Sequence, residues 1–306
     1  MSVRPLRAAA CAAVLACLAP AVSESDPAGF AFLEVPAGAR ASALGGAYAS
    51  RAEGVEAAFW NPAGLAAVKG IQVTASHYEF LQHLRHAQFG VSERLLGGGM
   101  AATLRAMYSE PITERDALGN EIGTFGAHDL EIALAYGRDV GRGIRLGGSS
   151  QVLRERIAEA SATTYALNAG ASWEPAPWPR LRLAASAHNL GPAAAYTIDG
   201  VKGQAVPLPA AVQLGASYGV AAGGFDLRGS LETRLARGRS GIAMLGAEAA
   251  HASGAALRLG FRVNDRTTSL SFGTGYATPA LRLDYAFVPY RLDLGDTQRF
   301  SLTVQF

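Results

Sequence analysis

The sequence predicts an all-β protein: a transmembrane antiparallel β-barrel of about 14 strands with an N-terminal plug segment. Three observations predict it. The last seven residues, Phe300-Ser301-Leu302-Thr303-Val304-Gln305-Phe306, alternate strictly and finish on an aromatic. From about residue 70 onward the chain falls into alternating segments whose charges share one face. The connectors between those segments sort by length, short ones and long ones following strands of opposite parity.

At the N-terminus, Arg4 and Arg7 precede an apolar run from Ala8 to Ala19, and Ala19-Pro20-Ala21 supplies small residues for cleavage. Residues 1–21 read as a secretory signal peptide, too short for a spanning helix. Both cysteines, Cys11 and Cys17, lie in it, so a chain cut after Ala21 has no thiol chemistry. Val14-Leu15-Ala16-Cys17 also loosely resembles a lipoprotein cleavage box, a competing reading in which Cys17 carries lipid.

Mean hydropathy is +0.14, yet past the signal no stretch approaches a spanning helix. An alternating barrel reconciles the two, because apolar residues meet lipid while polar and small ones face the lumen. The formal net charge of +2 gives no reason to expect nucleic acid. Strands are expected near 70–79, 84–94, 99–109, 128–140, 143–156, 160–174, 179–189, 209–220, 223–235, 239–250, 254–264, 267–277, 280–288 and 298–306. In 225–235, Phe225, Leu227 and Leu231 alternate with Asp226, Arg228, Ser230, Glu232 and Arg234. A charge facing lipid costs roughly 2–4 kcal/mol at the midplane, so the charged face looks inward. Short turns such as Gly141-Arg142, Ala222-Gly223 and Ala252-Ser253 follow even strands. The long connectors 110–127, 190–208 and 289–297 follow odd ones, which places them outside the cell.

Residues 22–68 precede the barrel, 69–306, and do not alternate. Small residues dominate, Ala41–Arg51 and Val55–Phe59 suit short helices, and Asn61-Pro62-Ala63-Gly64 marks a turn. Such a segment fits inside the lumen; as a periplasmic tail it would leave Phe30, Phe32, Leu33, Phe59 and Trp60 exposed. Inner-face arginines 145, 182, 228, 234, 258, 262 and 282 outnumber obvious inner acids, and plug carboxylates Glu34, Glu53 and Glu56 are expected to neutralise them.

The order Phe32-Leu33-Glu34-Val35-Pro36-Ala37-Gly38-Ala39-Arg40, Leu44-Gly45-Gly46-Ala47-Tyr48, Phe59-Trp60-Asn61-Pro62-Ala63-Gly64-Leu65 resembles the opening of the PorV/PorQ family, within the FadL-like outer-membrane superfamily. The resemblance continues in His188-Asn189-Leu190-Gly191-Pro192, Pro207-Leu208-Pro209 and Asp284-Tyr285-Ala286-Phe287, across almost the whole mature chain. It implies a plugged barrel in the outer membrane of a Gram-negative bacterium, with lipid and the barrel assembly machinery as partners. Phe306 would be the assembly signal. Two functions follow. By resemblance to PorV, the protein is a non-enzymatic partner in protein export or surface display, engaging a secretion translocon or exported protein. By resemblance to FadL-like channels, it takes up small hydrophobic compounds. The mostly small or charged inner faces favour the first. Candidate plug and lumen residues are Glu34, Arg40, Gly45, Gly46, Asn61, Pro62, Ala63, Gly64, Arg182, His188, Arg228, Arg258 and Arg262.

No cofactor, metal or catalytic residue is expected. Gly215-Ala216-Ser217-Tyr218-Gly219 matches the Gly-x-Ser-x-Gly pattern, but it lies within an alternating strand rather than at a strand-to-helix elbow. His77, His83 and His86 cluster near the first hairpin without a fourth fixed ligand, which suits solvated loop residues. His188 falls on an inner face and is expected to hydrogen-bond the plug.

Overall fold

A computed structural model describes residues 28–79, 84–291 and 295–306. Eighteen strands form in chain order: β1 (Gln72–Glu79), β2 (Arg85–Leu95), β3 (Gly98–Tyr108), β4 (Ile112–Arg115), β5 (Glu121–Phe125), β6 (Ala127–Gly141), β7 (Ile144–Ile157), β8 (Ala160–Trp173), β9 (Leu181–Leu190), β10 (Ala194–Ile198), β11 (Val201–Val206), β12 (Ala211–Ala222), β13 (Phe225–Ala236), β14 (Ile242–His251), β15 (Ala255–Val263), β16 (Leu270–Ala277), β17 (Leu281–Pro289) and β18 (Asp296–Gln305). Fourteen of them, all but β4, β5, β10 and β11, close into an antiparallel barrel. β1 joins β18 through Gln72 opposite Gln305, and β8 joins β9 through Trp173 opposite Leu183.

Closure leaves no free sheet edge in the ring, as lipid requires. The outward residues form an apolar band that includes Leu104, Ile132, Leu134, Val152, Leu257, Leu283 and Phe300. Trp173 and Trp178 stand at the rim of the short turns, where aromatic side chains bridge lipid and water. No helix among the described residues is long and apolar enough to cross a membrane. The two longest connectors are more ordered than bare loops. Residues 110–127 hold the separate hairpin β4–β5, and residues 190–208 hold β10–β11, which joins the barrel ladder at Thr197 opposite Ser161 and bonds to it through Tyr196 and Glu155 at 2.8 Å.

Residues 28–68 occupy the lumen. The expected helix from residue 41 to 51 is cut to Ala39–Ala43, because Gly45 and Gly46 adopt φ of 65° and 82°, which helical geometry excludes. A second short helix spans Ala57–Trp60. Asn61 caps the turn that follows by accepting from the Ala63 amide at 3.1 Å, and Pro62 takes the first position, where its missing N–H costs nothing. Tyr48 and Trp60 meet edge to face at 5.9 Å, and the Trp60 indole donates to the Ala37 carbonyl at 3.0 Å.

Candidate functional site: the lumen and its plug

Two rows of glycine seat the plug. Gly99, Gly137, Gly147 and Gly170 lie side by side across β3, β6, β7 and β8. They open a trough for the Asn61–Leu65 turn. A Cβ on Gly147 would fall 2.3 Å from the Pro62 carbonyl carbon, and one on Gly170 would fall 2.0 Å from Asn61 Oδ1. On the opposite wall, Gly246 and Gly260 pair across β14 and β15. There a Cβ on Gly260 would come within 2.1 Å of the Gly45 amide nitrogen. Gly45 and Gly46, singled out from sequence, are therefore the plug's half of a backbone-to-backbone contact.

Polar groups lock this fit. Glu232, fully buried on β13, accepts from the Ala49 and Ser50 amides at 3.0 and 2.8 Å and from the Ser50 hydroxyl at 2.6 Å. Glu248 on β14 receives both Arg40 (3.0 and 2.8 Å) and Arg51, together with Arg258 from the neighbouring strand. Arg258 continues to Asp284 at 2.8 Å, Asp284 to Arg282 at 3.0 Å, and Arg282 to Glu56, which also accepts from the Tyr48 hydroxyl at 2.8 Å. Burial alone would raise the Glu56 carboxyl, but Arg282, Arg40 and the Tyr48 hydrogen bond hold it below the usual carboxylate range. A third group joins Glu53 to Arg182 at 2.7 Å and Arg145 at 3.6 Å, with Glu174 at 3.2 Å from Arg145.

The expected polarity of these contacts needs correction. Glu53 and Glu56 do neutralise wall arginines, but Glu34 pairs with Arg239 on a loop instead. Arg228 pairs with Asp226 on its own strand, and Arg262 donates to the Gly45 carbonyl at 2.7 Å and to Asp265 at 2.9 Å. Inner acids are plentiful, and the plug's own Arg40 and Arg51 reach a wall carboxylate. Sequence reasoning placed Glu232 on the inner face without giving it a partner, and missed Glu248 and Arg299, although both sit at inner-face parity. Arg299, fully buried, donates to Ser42 Oγ at 2.9 Å, to Pro36 O at 3.3 Å and to the Tyr290 hydroxyl at 3.0 Å, and lies 4.4 Å from the Tyr78 ring centre.

The histidines separate. His77 faces lipid, whereas His86 on the neighbouring strand is buried and stacked on Tyr78 at 4.7 Å, so it is no solvated loop residue; His83 lies outside the described residues. Among the described residues no three metal-ligating side chains converge. Ser217 lies mid-strand and donates to the Ser50 carbonyl at 3.4 Å, another plug contact.

Above the plug, toward the long loops, the lumen opens into a cavity of about 750 Å³. Leu33, Val35, Phe59 and Trp60 of the plug line one side, with Ile242 and Met244 from β14. Arg105, Gln151, Asn168, His188, Gln213 and Arg234 line the other. His188 exchanges a hydrogen bond with Ser186 Oγ at 2.8 Å.

Beside this cavity the barrel wall is irregular. β9 pairs regularly with β8 as far as Ala169 opposite Ala187, then shifts register before Leu167 meets Leu190. Asn189 causes the break. Its φ of 56° turns the strand inward, and its buried side chain accepts from Gln151 at 2.9 Å and donates to Pro209 O at 3.1 Å. Its amide donates to Asn168 Oδ1 at 2.8 Å. Above that level, β10–β11 and its flanking residues cover the gap between β8 and β12.

No family model matches the chain, and no curated protein matches it. Solved structures do. It is similar to a protein titled CymD monoaromatic hydrocarbon channel, at 14% identity over 88% of this chain and 97% of that one, with a TM-score of 0.59. A FadL homologue of Pseudomonas aeruginosa gives 13% identity, 89% and 98% coverage and a TM-score of 0.56. The toluene transporter TodX of Pseudomonas putida gives 11%, 94% and 96%, and 0.51. The fold is thus FadL-like, and the apolar outer band is that of a barrel set in a membrane.

Proposed function

We propose that the protein is a channel for the uptake of small hydrophobic compounds. The observation that carries this is the cavity beside the wall break. Its volume lies in the range of small-molecule sites, and its apolar side comes mainly from the plug, with Ile242 and Met244 of β14. The barrel strands alone, being small or charged inside, offered no such surface, and that had favoured the export reading. The hydrocarbon and toluene named for two of the structural neighbours are ligands of the class such a pocket takes.

A compound entering between the loops would rest on Phe59 and Trp60 and leave sideways past Asn189, where main-chain ladder gives way to side-chain hydrogen bonds. The plug need not move. The motifs that resemble PorV/PorQ support export weakly here, since Gly45, Gly46 and Asn61–Gly64 are accounted for by seating the plug. Purified protein should bind toluene, competing with an apolar fluorescent dye. Ala236→Trp, which projects an indole into the cavity, should weaken binding at least about tenfold, the cost of a lost apolar site. Failure of the unmodified protein to bind any apolar probe would remove the channel reading.

A further inference from the structure

We infer that the outer face of β6, β7 and β8 holds the phosphorylated head group of an outer-leaflet lipid. On β7 the lipid-facing residues run Ile144, Leu146, Gly148, Ser150 and Val152, and then Arg154 and Arg156. Ten residues separate Ile144 from Arg154. At a rise of about 3.4 Å and a tilt of about 40°, they climb roughly 26 Å. The apolar band of such barrels is about 25 Å tall, so Arg154 stands at its upper edge and Arg156 about 5 Å higher, among head groups.

The neighbouring strands change character in the same row. On β6, Leu134, Ile132 and Leu130 give way to His128, directly opposite Arg156. On β8, Leu167 and Tyr165 give way to Thr163, opposite Arg154, and Ser161, opposite Arg156. Two guanidiniums, an imidazole and two hydroxyls thus share one patch at head-group height.

Neither arginine forms an ion pair among the described residues; Arg156 makes only a 3.0 Å bond to the Ala158 carbonyl. Arg85, outward on β2, is closed by Glu110. Adjacent cations at a lipid boundary repel each other and are desolvated, and a phosphate bridging them relieves both costs. Guanidinium forks and hydroxyls suit a phosphomonoester on a glycolipid, whose acyl chains would lie on Val152, Tyr165 and Ile132 below.

The test uses the full-length protein in mild detergent. Native mass spectrometry follows titration with bisphosphorylated lipid A, with the same lipid after dephosphorylation, and with inorganic phosphate. The wild type should retain phosphorylated lipid A and bind neither other probe. R154Q/R156Q should bind roughly 30-fold more weakly, from about fivefold per cation near an anionic surface. R154K/R156K, which keeps the charges but loses the forks, should weaken binding by less than R154Q/R156Q does, and R138Q, outward at the opposite rim, should match the wild type. Heat-modifiable migration reports that each variant is folded. Equal binding of the dephosphorylated lipid, read on the wild type and so independent of any variant's folding, overturns the proposal. So does undiminished binding by R154Q/R156Q, and binding of inorganic phosphate alone would mark an anion site without lipid.

Discussion

The two halves of the lumen are built from different contacts. In the half nearer the short turns, plug backbone lies against glycine backbone on two walls, and the surrounding charges are tied into chains such as Arg51–Glu248–Arg258–Asp284–Arg282–Glu56. In the half nearer the loops, the plug turns an apolar face to open space, and the wall opposite keeps cavity-lining polar groups such as Arg234 and Gln151. The first arrangement has no slack, since one added methyl group would collide with main chain. The second has room for a ligand. The difference teaches that one segment is packed without slack on one side and floors the pocket on the other, and that its two faces answer to different rules.

Substitutions that split the halves apart sharpen this contrast. The largest effect is expected from Glu248→Gln, which leaves Arg40, Arg51 and Arg258 sharing one neutral amide in a buried site. Loss of a buried partner costs about 3–5 kcal/mol, read as a lower guanidinium midpoint in detergent. Next comes Gly147→Ala, whose methyl meets the Pro62 backbone. A destabilisation of about 1–3 kcal/mol is expected, with residues 28–68 becoming cleavable by protease. If both variants leave the plug protected, the lower half is not the close fit described.

Acid gives a smaller and graded effect. Because the Glu56 carboxyl is held below its unfolded value, its contribution is complete above about pH 4.3 and is lost as the pH falls through the lower folded value. Protease sensitivity of the plug should rise below about pH 4, and Glu56→Gln should reduce that pH dependence. The smallest effect is expected outside the lumen. Replacing the β4–β5 hairpin, residues 112–125, by a tight turn should change stability by no more than about 0.5 kcal/mol and leave toluene binding intact. Under an export function the same change would abolish partner association.

The barrel was legible because its signal repeats. A period of two with charge confined to one face identifies each strand locally, and connector length identifies its direction. All fourteen barrel strands fall within a few residues of the expected ranges. The hairpin within 190–208 and the inward turn at Asn189 were not legible, since left-handed backbone at an asparagine leaves no periodic trace. The lumen was read only in outline. Gly99, Gly137, Gly147 and Gly170 are far apart in sequence, and only strand register makes them neighbours. Glu248 sits between alanines at inner parity, a position that announces an inward charge, yet its partners Arg40 and Arg51 belong to a segment with no period. The pocket was sought on the strands, whereas Phe59 and Trp60, noted as too apolar to be exposed, are what lines it.

The path of the plug also fixes an order of events in assembly. Its start lies at the loop end, where the Gly29 amide bonds to the Pro207 carbonyl at 3.1 Å, and its end leaves beside the Ile71 carbonyl, which accepts from the Phe306 amide at 2.9 Å. The segment therefore runs the length of the lumen, and its glycine-seated backbone fills the half nearer the short turns. A finished barrel has no clearance through which to draw it in. Laid along the sheet before β18 reaches β1, the segment would be trapped by the pairing that closes the barrel, Gln72 opposite Gln305.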